Sequence, residues 1–122
     1  MAQTLADLVA EAEAQVPSIT PEEAATLDNV VFVDVREPEE VAASGKIAGA
    51  LSIPRGVLEF RTDPSRPDYI PELDRNKTIV TYCRVGGRAA LAAAALKKLG
   101  FTDVRHMGAF KDWAEKGLPV DK

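Results

Sequence analysis

Residues 81–88 read TYCRVGGR and join a short apolar run to a long segment rich in Ala and Leu. The preceding residues 79–82 are β-branched or aromatic, a composition typical of a buried strand. Beyond Arg88, apolar residues recur through 91–99 at the spacing of one helix face. Residues 83–88 are therefore predicted to form a strand-to-helix turn, with Cys83, the only cysteine of the chain, at its mouth.

This turn suits a reactive sulfur. Backbone N–H groups in the first turn of a helix have no partner inside the helix. Gly86 and Gly87 permit positive φ angles that let successive N–H groups converge on an anion, and Arg84 and Arg88 add positive charge. These features favour thiolate chemistry at Cys83. The alternative, a small cysteine buried in the core, is the usual role of a lone cysteine, and the surrounding residues favour the functional interpretation.

Size and composition exclude several classes of protein. A chain of 122 residues is expected to form one domain. Its net charge of −4 and the lack of a Lys/Arg cluster argue against nucleic-acid binding. No apolar run is long enough for a membrane span, and the N-terminus lacks the pattern of a secretory signal, so we expect a cytoplasmic protein. A single cysteine excludes an internal disulfide and a multi-cysteine zinc site.

The first part of the chain is predicted to be a separate helix. Residues 4–16 carry apolar side chains close to helical spacing. Thr4 and Asp7 resemble a capping box, and Pro17 ends the segment. We therefore divide the chain into an N-terminal helical extension, 1–17, packed on a main domain, 18–122. Whether this helix covers one edge of the domain or forms a dimer contact stays open.

The main domain is predicted to be α/β. Residues 30–35 form a continuous apolar run, as expected of a central strand covered on both faces. Strands then alternate with helices, which predicts a mainly parallel sheet flanked by helices on both faces. Ligands of such sheets gather at the carboxyl ends of the strands. Asp34 and Cys83 both follow predicted strands, so we expect them near each other.

Four segments, in order, resemble the single-domain form of the rhodanese family of sulfurtransferases. They are DVR at 34–36 followed by acids, GKIAGALSIP at 45–54, CRVGGR at 83–88 and GAFKDWA at 108–114. The resemblance covers residues 18–120. Lys46 replaces the usual histidine, Ala109 the second glycine and Ala89 a frequent serine. Whether Lys46 and the inserted loop at 61–71 alter specificity stays open.

The resemblance implies a three-layer sandwich and a covalent reaction. In the family, the loop cysteine takes a sulfane sulfur from a donor such as thiosulfate, carries it as a persulfide, and passes it to cyanide or to a thiol, including a protein thiol. By this resemblance Cys83 is the nucleophile, Asp34 and Arg36 support the loop, and Asp34 is the expected internal partner of the loop arginines. No metal or organic cofactor is expected. The substrate-binding residues are then Arg84, Val85, Gly86, Gly87 and Arg88.

Two other classes of function compete with this interpretation. Cysteine-dependent phosphatases and arsenate reductases also use a cysteine and an arginine, but with five residues between them, whereas four separate Cys83 from Arg88. The shorter loop should fit one sulfur atom and crowd a phosphate. A non-catalytic binding or regulatory module commonly lacks the cysteine. The sequence does not distinguish a persulfide carrier that serves a dedicated partner from a detoxifying enzyme. It also leaves open whether the protein is a monomer or a homodimer.

Other conspicuous side chains are given structural roles. His106, the only histidine, is expected to be exposed at a strand end. Phe110 and Trp113 are expected in the core or the pocket wall. The acids at 37–40 are interpreted as a solvated helix start and not as a metal site, and Lys46 is expected at the surface.

Overall fold

The computed structural model describes residues 2–122 and alternates helices with strands. Its helices are α1 (Leu5–Gln15), α2 (Pro21–Ala25), α3 (Pro38–Ser44), α4 (Leu58–Thr62), α5 (Gly87–Lys98) and α6 (Phe110–Glu115). Its strands are β1 (Val30–Asp34), β2 (Lys46–Ile47), β3 (Leu51–Ser52), β4 (Thr78–Cys83), β5 (Asp103–Ala109) and β6 (Val120–Asp121). A single 3₁₀ turn, Arg55–Val57, leads into α4.

The central sheet has the strand order β3-β1-β4-β5, and every pairing in it is parallel. The predicted α/β class and parallel sheet are confirmed. β1 and β4 lie in the middle, with Asp34 opposite Tyr82. Since the N–H of Val35 donates to the carbonyl of Tyr82, the two strands end side by side. Asp34 and Cys83 therefore meet at the same edge of the sheet, as expected.

Helices cover both faces of this sheet. One cluster of buried side chains joins α1, α4 and α5 to the face that carries Ile79 and Cys83. The other joins α2 and α6 to the face that carries Val80 and Tyr82. The successive side chains of β4 alternate between the two clusters because strand side chains point to opposite faces. Cys83 thus points toward α5.

Helix α5 lies close to the sheet because its inner face is built from alanine. Ala89, Ala90, Ala92 and Ala93 are completely buried. The hydroxyl of Thr81 donates to the carbonyl of Ala89 at 2.8 Å, which ties β4 to the first turn of α5. This bond and the small side chains bring the start of α5 to the carboxyl end of β4, where Cys83 lies.

Helix α1 packs along α5. Thr4 and Asp7 form the predicted capping box at its start. Ala12 and Val16 are buried in the cluster that also holds α5, and Lys97 donates to the carbonyl of Gln15. α1 thus covers α5, while the division into residues 1–17 and 18–122 remains a prediction.

The expectation for His106 was wrong. His106 lies inside β5 and is only 8% exposed. Its N–H donates to the carbonyl of Pro17, and its carbonyl accepts from the N–H of Ile19. The segment after α1 therefore runs beside β5 and covers this residue. Phe110 and Trp113 are buried, as predicted.

Within residues 2–122, no helix is long and apolar enough to cross a membrane.

Candidate active site

Cys83 is the last residue of β4 and has no exposed surface. Its Sγ accepts hydrogen bonds from the backbone N–H of Gly86 at 3.0 Å and of Ala89 at 3.3 Å. Both donors belong to the turn and first helical residues that follow the strand. N–H groups converging in this way stabilise negative charge on the atom that they face. The arrangement is therefore suited to hold a sulfur anion.

The turn that carries these donors depends on a glycine conformation. Gly86 caps α5 with φ 107° and ψ −30°, a region of backbone space that L side chains rarely adopt. Gly87, the first residue of α5, lies against the side chain of Val9. α1 therefore touches the start of the helix that faces Cys83.

Arg88 is held by Glu40 of α3. Its Nη1 and Nη2 donate to the two carboxylate oxygens at 2.6 and 2.9 Å. The pKa of Glu40 is lowered to about 2. The hydrogen bond from Arg88 is the largest cause, and the hydrogen bond from the N–H of Glu37 is the second largest. The same pairing raises the pKa of Arg88. Glu40, interpreted from sequence as part of a solvated helix start, is thus the partner of a loop arginine.

The expected pairing of Asp34 with a loop arginine was wrong. Asp34 is fully buried and binds Arg36, only two residues away, with Arg36 Nη2 at 2.7 Å from Oδ2. Burial is the largest single influence and opposes the charge on Arg36, but the hydrogen bond to Asp34 and the attraction of the surrounding negative charges together outweigh it, so the pKa of Arg36 is raised. Arg36 also donates to the hydroxyl of Ser44 and to the carbonyl of Gly45. The pair therefore fastens the end of α3 to the end of β1.

Tyr82 and Lys46 both stabilise the segment of residues 46–50. The hydroxyl oxygen of Tyr82 accepts from the N–H of Ile47 at 3.0 Å, and burial raises the pKa of Tyr82. Lys46 is half-buried, and its Nζ donates to the carbonyl of Ala50 at 2.7 Å. Lys46 thus stabilises its own turn.

Arg84 and Val85 stand on the outside of the loop. Val85 is 82% exposed, and Arg84 is exposed beside a cavity of about 440 Å³ between the loop and α3. The other residues that line this cavity are Glu39, Glu40, Ala43 and Ser44. Cys83 itself has no exposed surface, so the loop covers Sγ on the side of this cavity.

Ala89 and Glu40 are the two residues of this site that sequence reasoning missed as individuals. Ala89 contributes only its backbone N–H, which no side-chain pattern reports. Glu40 lies on the short helix that follows β1, so it starts from the same edge of the sheet as Cys83. This position directly after a central strand is the sequence signal that would have identified Glu40.

Comparisons with known proteins agree with this geometry. The model of the rhodanese-like domain matches residues 20–116. A sulfurtransferase from Allochromatium vinosum is 33% identical over 97 residues, which cover 79% of this chain and 82% of that protein. The human thiosulfate:glutathione sulfurtransferase is 36% identical over 90 residues, 68% of this chain and 77% of that protein.

A solved structure is also closely similar. It is that of a protein of unknown function from Rhodopseudomonas palustris, described as a possible tyrosine phosphatase, with a TM-score of 0.91 and 35% identity. The match covers 99% of this chain and 96% of that one.

A parallel sheet, a cysteine at its carboxyl edge and a tight loop leading into a helix define a rhodanese-type fold. The chain belongs to the rhodanese-like domain family. Its sulfurtransferase relatives support sulfur transfer as the activity of the family.

Proposed function

We propose that this protein is a sulfurtransferase in which Cys83 carries a sulfane sulfur as a persulfide. The observation that carries the proposal is the pair of N–H groups, from Gly86 and Ala89, that converge on Sγ at the start of α5. These donors are oriented before any reaction, so they stabilise developing negative charge without reorganising. The relatives named as sulfurtransferases support the same activity.

The first half of the reaction charges the cysteine. The thiolate of Cys83 attacks the outer sulfur of thiosulfate or a similar donor, the S–S bond of the donor breaks, and sulfite leaves with the electron pair. Charge balances, because one thiolate and one dianion give one persulfide anion and one dianion. Neither a metal nor an organic cofactor enters this balance.

The other loop residues have separate roles in binding the donor and in positioning the loop. Arg84, which is exposed and follows Cys83 directly, supplies positive charge for a dianionic donor. Val85, Gly86 and Gly87 form the wall of the loop. Arg88 acts as a positioning residue, since both of its terminal nitrogens are engaged by Glu40.

The second half discharges the persulfide. Cyanide, a small-molecule thiol or a protein thiol attacks the outer sulfur, the S–S bond to Cys83 breaks, and Cys83 leaves as thiolate. With cyanide the product is thiocyanate. Covalent transfer in two separate steps predicts ping-pong kinetics.

A phosphatase is the second candidate, because the similar Rhodopseudomonas protein is described as a possible tyrosine phosphatase. Such chemistry requires an arginine free to bind phosphate, and planar guanidinium binds it in a bidentate manner. Here both terminal nitrogens of Arg88 already donate to Glu40 and are not free to bind a phosphate. This arrangement favours sulfur transfer. A non-catalytic module is disfavoured because Cys83 and its donors are in place.

The test is steady-state formation of thiocyanate from thiosulfate and cyanide by the wild type and by Cys83→Ala. We expect activity in the wild type only, with parallel lines in double-reciprocal plots. An aryl phosphate is assayed in parallel. Saturable hydrolysis of that phosphate, with no thiocyanate formed, would replace sulfur transfer by phosphatase activity.

A further inference from the structure

We propose that the cavity between α3 and the loop binds the zwitterionic head group of an α-amino-acid thiol, with its ammonium on Glu39 and its carboxylate on Arg84. We call this cavity the acceptor pocket; its lining residues are Glu39, Glu40, Ala43, Ser44 and Arg84. The inference rests on the proposed function, because the thiol is the acceptor of the Cys83 sulfur.

The acceptor pocket contains one uncompensated charge of each sign. Glu40 is neutralised by Arg88. Neither Glu39 nor Arg84 takes part in an ion pair in the part of the chain that the structure describes, 2–122. A ligand that presents a cation to one and an anion to the other satisfies both.

The floor between these charges is close to neutral. Ala43 contributes a methyl group, and the hydroxyl of Ser44 is already engaged by Arg36 and by the carbonyl of Glu40. A cavity of about 440 Å³ lies within the range of small-molecule sites, about 300–1,000 Å³. It has room for an amino acid with a short side chain.

The helix side of the pocket is fixed relative to the loop that carries the nucleophile. Arg84 follows Cys83 in sequence, and Glu39 precedes Glu40, which is fixed to the first turn of α5 through Arg88. At its other end, α3 is fastened by the bonds from Arg36 to Ser44 and Gly45. Glu39 therefore stays in a set relation to the loop, which is the condition for discriminating between head groups.

The reaction balances without an added oxidant or reductant. The thiolate of the acceptor attacks the outer sulfur of Cys83–S–S⁻, the S–S bond breaks, and the electron pair stays on Cys83. The proton of the acceptor thiol ends on the new persulfide, so that Cys83–S–S⁻ and R–SH give Cys83–S⁻ and R–S–SH. A thiol with only a carboxylate is repelled by Glu39, and one with only an ammonium is repelled by Arg84.

The test measures the discharge rate of protein that has first been charged at Cys83 and freed of donor. The acceptors are L-cysteine, cysteamine, which lacks the carboxylate, and 3-mercaptopropionate, which lacks the ammonium. Each rate is expressed as the ratio of wild type to variant for one thiol, since this ratio cancels the intrinsic reactivity of the thiol. The variants are Glu39→Gln and Arg84→Gln, with Glu13→Gln, on the exposed side of α1, as the matched control.

The expected pattern is selective. Glu39→Gln lowers discharge by L-cysteine and cysteamine about threefold to fivefold, as one partly exposed charge pair allows, and does not lower discharge by 3-mercaptopropionate, whose carboxylate Glu39 repels. Arg84→Gln lowers discharge by L-cysteine and 3-mercaptopropionate by a similar factor and does not lower discharge by cysteamine, whose ammonium Arg84 repels. Glu13→Gln has ratios near one throughout. Equal losses for all three thiols would overturn the inference.

A binding measurement separates this inference from the proposed function. S-methyl-L-cysteine has the same head group but no thiol, so its binding does not depend on persulfide chemistry. We expect saturable shifts of the backbone amide signals of Glu39 and Arg84 in NMR spectra, weakened in Glu39→Gln and unchanged in Glu13→Gln. If Cys83 does not charge but these shifts occur, the proposed function fails and the pocket stands. If Cys83 charges and discharges to cyanide but no shift occurs, the pocket fails alone.

Discussion

Glu40 reaches from α3 to the first turn of α5 and engages both terminal nitrogens of Arg88, at 2.6 and 2.9 Å. The same carboxylate accepts the N–H of Glu37 at 3.0 Å, so it also closes the start of α3. One side chain thus joins the helix that follows β1 to the helix that follows β4, on either side of the loop that carries Cys83.

The Glu40 pairing predicts a pH-dependent contribution to stability. The pKa of Glu40 is lowered from 4.5 to about 2, and a carboxyl with a lowered folded pKa stabilises the native state above its unfolded pKa. That contribution is lost as the pH falls through the folded value. We expect Glu40→Gln to cost up to about 1 kcal/mol at neutral pH, with the difference from wild type shrinking between pH 4.5 and 2. Urea unfolding at a series of pH values measures it.

The matched control is Glu115→Gln, which removes a carboxylate from an exposed ion pair with Lys111. We expect a smaller difference for this variant across the same range. A Glu40→Gln difference that stays constant down to pH 2 would contradict the account.

Gly86 is predicted to be irreplaceable in the loop. At φ 107°, alanine at this position is strained by about 1–3 kcal/mol, and relief of that strain moves the N–H away from Sγ. We expect Gly86→Ala to lose that much unfolding free energy and to charge with sulfur at least about tenfold more slowly. Gly56→Ala is the control, because Gly56 lacks a positive φ and has open space for a Cβ. Similar charging rates for the two variants would refute this role.

Arg84 is predicted to bind the donor without supporting the fold. It is exposed, and its guanidinium is expected to interact with the dianionic donor. Replacing Arg84 by alanine should raise the KM for thiosulfate about fivefold, equivalent to roughly 1 kcal/mol, and leave the melting temperature within error. Arg105→Ala, which removes an arginine paired with Asp103 on β5, should leave KM unchanged. An unaltered KM for the Arg84 variant would remove it from the site.

The buried pair of Asp34 and Arg36 is predicted to be essential for stability. Both side chains are at most 4% exposed, so Asp34→Asn leaves a buried guanidinium without its counter-charge, at a cost of about 3–5 kcal/mol. Denaturant unfolding measures this loss. Glu59→Gln breaks a more exposed pair with Arg55 and should cost only about 0.3–0.5 kcal/mol. Comparable losses of unfolding free energy for the two variants would show that the pair of Asp34 and Arg36 is dispensable for stability.

The parts of the fold that the sequence predicted are those with strong local signals. β1 is a continuous apolar run, α5 has clear helical spacing, and Thr4 caps α1 with Asp7 as its pattern indicated. The turn from β4 to α5 was predicted as well, since glycines and a change of periodicity mark it directly.

The contacts between distant segments were not predictable in the same way. Asp34 pairs with Arg36 and not with a loop arginine, because the short turn after β1 places these two neighbours side by side. Glu40 found Arg88 across 48 residues of sequence, which depends on how α3 sits on the sheet. His106 is covered because the chain after α1 pairs with β5. Composition alone does not encode these placements.

The most direct test of the central claim is the mass of the intact protein after incubation with thiosulfate, followed by a cyanide chase. We expect the wild type to gain one sulfur atom and to lose it with release of thiocyanate. Cys83→Ser, which keeps an acceptor for the two N–H donors, should gain none while retaining its fold by circular dichroism. A wild type that stays unmodified with thiosulfate and with polysulfide, or a Cys83→Ser variant that gains sulfur equally, would contradict the account.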